Sequence, residues 1–226
     1  MTAPGAGRVT LLDYGVGNTA SVRRAFLRLG AEVDFTADPA RVASADRIVL
    51  PGVGAFAPAR ERLRALGLDA ALAAAVGRGA RLLGLCLGYQ LLFEESEEFG
   101  VTRGLGFLAG RVVPFRSGVR VPHVGWNSLR ISRGFLDPPG PPGSVEGRRR
   151  LPHLFDGVPD GSYVYFVHSF VPEGADPADV AATTDHGGTF AAAAERGNVW
   201  GCQFHPEKSS DAGRRILSNF LRRDAA

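Results

Sequence analysis

Between residues 8 and 98, short apolar runs alternate with helix-like segments, and that alternation narrows the fold more than any other feature of the chain. "RVTLLDY" reads as a buried strand. The helix "TASVRRAFLRLG" follows, with Asn18 or Thr19 placed to cap it and Gly30 to end it. "AEVDFTA" and "DRIVLP" read as further strands, and "PARERLRALGLDAALAAAVGRG" supplies one or two helices. "RLLGL" is another strand, and "GYQLLFEESEEFG" reads as the helix after it. Strand and helix in turn, with short links, predict a parallel sheet covered on both faces.

The second half changes character. "GRVVPF", "VPHVGWNSLRI", "SYVYFVHSFVP", "DVAATTDH", "TFAAAAERG" and "NVWGCQFHPE" are strand-like and separated by turn residues. They predict an antiparallel portion that extends the parallel sheet, closed by a last helix, "DAGRRILSNFLRR". Between the strand groups, the Pro, Gly and Arg content near residues 137–150 reads as an exposed insertion loop. A length of 226 residues favours one domain, taken as residues 8–224.

Composition excludes several classes. The net charge of +3 comes from scattered arginines without a basic face, so nucleic acid is not expected as a partner. The most apolar stretch is interrupted by Arg78 and Arg81, and no membrane span is expected. The start carries no apolar signal-peptide core. Two cysteines in different contexts give no disulfide framework, which fits a reducing, cytoplasmic setting. No histidine pair has metal-site spacing, so neither a metal nor another cofactor is expected.

The chemistry gathers around Cys86. In Gly84-Leu85-Cys86-Leu87-Gly88 the cysteine follows a strand and precedes a helix-like run. A sharp strand-to-helix turn holds a nucleophile in a strained conformation, and its close contacts two residues either side demand glycine. A helix starting there would aim free N–H groups at the sulfur, and Leu87 N–H would point where an oxyanion forms. The segment alone leaves open a small apolar core cysteine.

A base is available in "GCQFHPEKSS". Read as extended chain, His205 and Glu207 project to the same side, and a carboxylate beside an imidazole fixes its tautomer. The alternative is a surface His-Pro-Glu turn. His123 and His168, on strand-like runs, read as hydrogen-bonded structural histidines, and His153 and His186 as loop residues. Cys202 reads as buried and inert. In "VLPGVGAF", Gly52 and Gly54 permit close backbone approach and a plausible second half of an oxyanion hole; no Lys-Ser/Thr follows, which excludes a phosphate loop.

With these pieces the chain resembles the triad-type class I glutamine amidotransferases, whose elbow and base segments are similar to "GLCLGYQ" and "FHPE". Within them, "DYGVGN", "LPGVGAF", "PHVGWN", "YFVHSF" and "QFHPEKS" together resemble the glutaminase subunits of imidazole glycerol phosphate synthases, from Val9 to Phe220 apart from the segment near 137–150. The resemblance implies a three-layer, flavodoxin-like α/β fold. It implies glutamine hydrolysis, with ammonia passed to a (β/α)₈-barrel cyclase subunit in a heterodimer of histidine biosynthesis, and little activity without that partner. Cys86 would be the nucleophile, His205 the base and then acid, and Glu207 its orienter. Gly52, Gln90 and the main chain at Ser169 and Phe170 would hold glutamine, with Val53 and Leu87 as oxyanion donors. Asn18, His123, Trp126, Tyr165 and Lys208 match positions at or near the partner interface, although core packing is an equal alternative for Trp126.

The chain departs from the family's pattern at Phe170, where tyrosine is common, and in the insertion. Sibling glutaminases for anthranilate or aminodeoxychorismate tend to have His in place of Tyr89 and Ser in place of Lys208. A free-standing Cys-His hydrolase, such as a γ-glutamyl peptidase, would need no partner. A non-catalytic, regulatory glutaminase relative is disfavoured by the intact Cys-His-Glu set.

Overall fold

The computed structural model describes residues 7–116, 118–136 and 149–222. In chain order the first half forms β1 (Arg8–Leu12), α1 (Thr19–Arg28), β2 (Glu32–Thr36), α2 (Pro39–Ser44), β3 (Arg47–Leu50), α3 (Phe56–Ala65), α4 (Leu68–Gly77), β4 (Arg81–Leu85) and α5 (Leu87–Gln90). Short strands follow: β5 (Glu95–Ser96), β6 (Thr102–Arg103), β7 (Arg111–Pro114), β8 (His123–Ser128), β9 (Arg130–Ile131), β10 (Phe135–Leu136) and β11 (Arg149–Arg150). The rest comprises β12 (Tyr163–His168), β13 (Phe170–Glu173), β14 (Val180–Asp185), β15 (Thr189–Arg196), β16 (Val199–Cys202) and α6 (Ser210–Leu221).

The main sheet has the order β2-β1-β3-β4-β16-β15-β14-β9. It is parallel from β2 to β16 and antiparallel from β16 outward. Alternate residues of one strand point to opposite faces, so the sheet feeds two cores. Val49, Leu83 and Leu85 pack with Val22 and Phe26 of α1 and Ile216, Leu217 and Phe220 of α6. Ile48, Leu50 and Leu82 pack with Phe56 and Leu63 of α3 and Leu68 and Leu72 of α4. The result is a three-layer α/β fold with an antiparallel extension.

Several features differ from the sequence expectation, among them a short helix, α2, where the sequence predicts only a link between strands. The helix after Cys86 is a single turn, because the carbonyls that would continue it are taken by another segment. Leu105 N donates to Leu91 O, Phe107 N and Leu108 N to Leu92 O, and Gly106 N to Phe93 O. Asn18 stands at the start of α1, but its side chain makes no capping bond. Two runs read as continuous strands each break and change sheets: β8 passes to β9 at Leu129, and β12 to β13 at Ser169. β8 and β12 pair with each other outside the main sheet, with Tyr165 opposite Trp126. The 137–150 segment lies outside the described residues except Arg149–Arg150, which pair with Phe135–Leu136.

The parallel strands β1, β3, β4 and β16 all deliver their C-terminal ends to one edge, where ligands bind in open α/β sheets. Tyr14, Gly52, Cys86 and Gln203 follow those four ends.

Candidate active site

Cys86 follows β4 directly and has φ +54, a conformation costly for any residue but glycine. The elbow explains its two glycines. A methyl group on Gly84 would lie 2.7 Å from Gly88 O, and one on Gly88 would overlap the Leu50 carbonyl oxygen. With α5 reduced to one turn, a helix dipole adds little here, so electrostatic support for the sulfur has to come from side chains.

His205 supplies it. Strand β16 ends at Cys202, three residues before His205, and Pro206–Lys208 form a 3₁₀ turn in place of extended chain. That turn brings His205 Nδ1 to 2.8 Å from Glu207 Oε1, both side chains being buried. His205 Nε2 is buried without a hydrogen-bond partner of good geometry. Burial alone would lower the pKa of His205, but Cys86 and Glu207 outweigh it and raise the value to about 9. The main chain braces the pair, since His205 N donates to Tyr165 O at 2.9 Å and Ser209 Oγ donates to His205 O at 2.6 Å.

A cavity of about 480 Å³ opens beside the sulfur, lined by Val53, Cys86, Leu87, Gln90, Glu98, Phe99, Pro122, Val167, His168, Ser169 and Phe170 among others. Gln90 Nε2 donates to Phe170 O and to Gln203 Oε1, each at 3.0 Å. At Gly52 the close approach is real: an added methyl would lie 2.9 Å from Gly88 N and from the Tyr14 hydroxyl, which itself donates to Pro51 O at 2.6 Å. The positive φ of that turn, +95°, falls on Gly54. Leu87 N donates to Gly52 O at 3.3 Å, so the expected oxyanion donor is occupied by a main-chain carbonyl.

Glu98 escaped the sequence reading. It is buried on the cavity wall, and its Oε2 accepts the Phe56 N–H that opens α3 at 2.6 Å. The signal available is an acidic run, "EESEE", inside the segment that reads as the helix after Cys86.

Of the expected interface residues, Asn18 and Lys208 are exposed and Trp126 is half exposed. Trp126 and Tyr165 meet edge to face at 6.1 Å, and Lys208 Nζ sits 5.5 Å from the Tyr165 ring. With Val124, Tyr163 and Val167 the two rings form an outward apolar face on β8 and β12, with Lys208 beside it, and Val167 also lines the cavity. His123 does not join this face. It is buried, stacked on Phe166 and His186, with its Nδ1 3.0 Å from His168 Nε2. His153 is tied to buried Glu195 at 2.8 Å. No helix among the described residues is long and apolar enough to cross a membrane.

Residues 10–223 match the family described as glutamine amidotransferase class-I. The chain belongs to the class-I glutamine amidotransferase family. It is 44% identical to a Moorella thermoacetica protein named imidazole glycerol phosphate synthase subunit HisH, over 94% of this chain and 93% of that one. A Syntrophotalea carbinolica protein of the same name is 45% identical, over 94% and 98%. Among solved structures, one titled as a glutamine amidotransferase superposes with a TM-score of 0.69 at 20% identity, covering 94% of this chain and 98% of the other. PurLQS from Thermotoga maritima gives 0.69 at 19% identity, covering 95% and 97%. At such identities these structures speak for the fold, and it is the one described above.

Proposed function

We propose that this chain is the glutaminase subunit of an imidazole glycerol phosphate synthase, hydrolysing glutamine and delivering ammonia to a cyclase subunit in histidine biosynthesis. Relatives bearing that subunit name are similar over nearly their whole length. We take residues 8–224 as one domain, because both halves contribute strands to one eight-stranded sheet.

The observation that carries the chemistry is the unpartnered, buried His205 Nε2 beside Cys86, with Nδ1 held by Glu207. His205 takes the thiol proton, and a raised imidazole pKa favours the resulting thiolate–imidazolium pair. The thiolate attacks the carboxamide carbon of glutamine, and the carbonyl electron pair moves to oxygen. His205 then gives its proton to the amide nitrogen. The C–N bond breaks, ammonia leaves, and a thioester remains on Cys86. Water attacks this thioester while His205 Nε2 removes its proton; the C–S bond breaks and glutamate departs. Glu207 holds the imidazole in place through both proton transfers.

Gln90 and the Ser169–Phe170 main chain line the cavity that receives glutamine, and the Glu98 carboxylate complements its α-ammonium group. Oxyanion stabilisation needs Leu87 N–H free. Turning the Gly52–Val53 peptide withdraws Gly52 O from that donor and directs Val53 N–H into the site, a motion eased by Gly52, whose ψ turns with it and which has no side chain. An occupied donor supports low activity until a partner drives this turn. The face bearing Trp126, Tyr165 and Lys208 begins at the cavity mouth, with Asn18 exposed on the same edge of the sheet, and it suits a partner that must take ammonia before water protonates it.

The test is to mix the chain with its cognate cyclase, measure mass by light scattering, and follow glutamine turnover with and without the cyclase's ligand. A one-to-one complex with strongly stimulated turnover is expected. Full turnover by the isolated chain would favour a free-standing hydrolase.

A further inference from the structure

Besides His205, a second side chain faces the sulfur. Gln203 is fully buried just beyond β16, and its Nε2 lies 3.9 Å from Cys86 Sγ. Its Oε1 accepts from Gln90 Nε2 at 3.0 Å, and its main-chain N donates to Ala192 O at 2.8 Å.

The direction of the Gln203 amide is fixed by a chain of bonds with one consistent polarity. Phe170 O is only an acceptor, so Gln90 presents its NH₂ there and spends its second hydrogen on Gln203 Oε1. Gln203 therefore presents its carbonyl to Gln90 and its NH₂ to the sulfur. A flipped Gln203 would set two NH₂ groups against each other and an oxygen against Sγ. Phe170 O is held from the other side by His168 Nδ1 at 2.9 Å. His168 Nε2 meets His123 Nδ1 at 3.0 Å, and His123 Nε2 meets Asn127 Nδ2 at 3.3 Å. Asn127 Nδ2 also donates to Asp185 O at 2.8 Å, which fixes that end. Burial holds His168 and His123 down at about 3 and 4, so both rings stay neutral, as this bonding requires.

We propose that Gln203 is a catalytic residue, donating a hydrogen bond to the Cys86 thiolate in a direction set by Gln90. The inference rests on Cys86 being the nucleophile. A neutral amide facing a thiol at 3.9 Å is a loose contact, but a hydrogen bond to an ionised acceptor is shorter and roughly twice as strong. The amide therefore favours the charged sulfur over the neutral one. It has no basicity of its own, so it does not compete with His205 for the proton. The contact also compensates for the shortness of the helix after the elbow, and it opposes the Val167 carbonyl, 3.8 Å from Sγ, which favours the protonated thiol.

The test uses the two-subunit complex with Gln203→Met and, closer in shape, Gln203→Glu. Cys86 alkylation by iodoacetamide is followed against pH, with the labelled peptide identified by mass, and glutaminase kcat and KM are measured alongside. The other titratable groups around the sulfur are His205 with Glu207 behind it, Tyr14 and Cys202, with Glu98 and His168 on the cavity wall; all are unchanged in both variants. Gln203→Met should move the alkylation midpoint up by about one pH unit and cut kcat about tenfold, with KM within about threefold of the parent. Gln203→Glu, with a carboxylate against the thiolate, should move the midpoint further the same way. An unchanged circular dichroism spectrum and a one-to-one mass with the cyclase by light scattering show that each variant is folded. Midpoints unmoved in folded variants would overturn the role of Gln203 and leave Cys86 as the nucleophile. Labelling elsewhere than Cys86 in the parent enzyme would instead overturn the functional reading itself.

Discussion

Cys86 follows β4 and Cys202 ends its parallel neighbour β16, and Cys86 N donates to Cys202 O at 2.9 Å. Both are buried, at 6% and 0% exposure, so burial does not separate them. Cys202 completes a regular strand, with its sulfur 3.6 Å from Phe204 O, and burial pushes its thiol well above the ordinary range. Cys86 has left its strand with φ +54, which brings its sulfur to a cavity, to Gln203 and to His205. Two like side chains a few ångströms apart differ because of backbone direction and the partners it supplies. On the function proposed above, reactivity at this edge belongs to the elbow, and the same thiol one strand over is packing.

The largest expected effect is on Cys86 itself. Cys86→Ala should lower glutamine-dependent turnover by about 10⁴-fold or more, while the complex still makes product from added ammonia; near-normal turnover with glutamine would erase the distinction between the cysteines. His205→Ala should come close to that loss. Glu207→Gln should fall short of it, at about tenfold to a hundredfold, since the Cys-His pair survives without its orienter; a Glu207→Gln loss as deep as that of His205→Ala would make the carboxylate more than a positioning group.

A smaller effect concerns pH. His205 is raised from 6.5 to about 9. A raised pKa means that the stability contributed by the charged ring is fully present below about 6.5 and is lost as pH rises through about 9. Cys86→Ala removes one of the two causes, so the ring should titrate lower in that variant, measured by NMR. Cys202→Ala should titrate His205 as in the parent. The smallest effect is Cys202→Ala on function: turnover within about twofold of the parent and a stability cost of about 1 kcal/mol by denaturant unfolding.

The legible parts of this molecule were those set by local sterics. Gly84 and Gly88 announce the elbow because each faces backbone that no side chain could approach. The alternation of strands and helices was visible because parallel strands need crossovers. Asp38-Pro39 also carries a local signal, an N-cap whose side chain accepts from Ala40 N at 2.9 Å, but the six residues of α2 are too few for an apolar period to stand out between two strands. The rest depended on long-range partners. The helix after Cys86 stops because residues 104–108 take its carbonyls, and no periodicity in "QLLFEE" reveals that. Glu98 enters the site for the same reason. The strand-like run around His123 reads as holding a structural, hydrogen-bonded histidine, whereas the family resemblance puts it near the interface with Trp126; alternate residues of β8 face opposite ways, and His123 turns inward to His168.

The most direct measurement is to treat the native complex with a glutamine-like electrophile and map the modified peptide by mass spectrometry. The elbow account predicts one label, on Cys86, blocked by glutamine and absent in Cys86→Ala, with Cys202 untouched. A label on Cys202, or equal labelling of both cysteines, would contradict it.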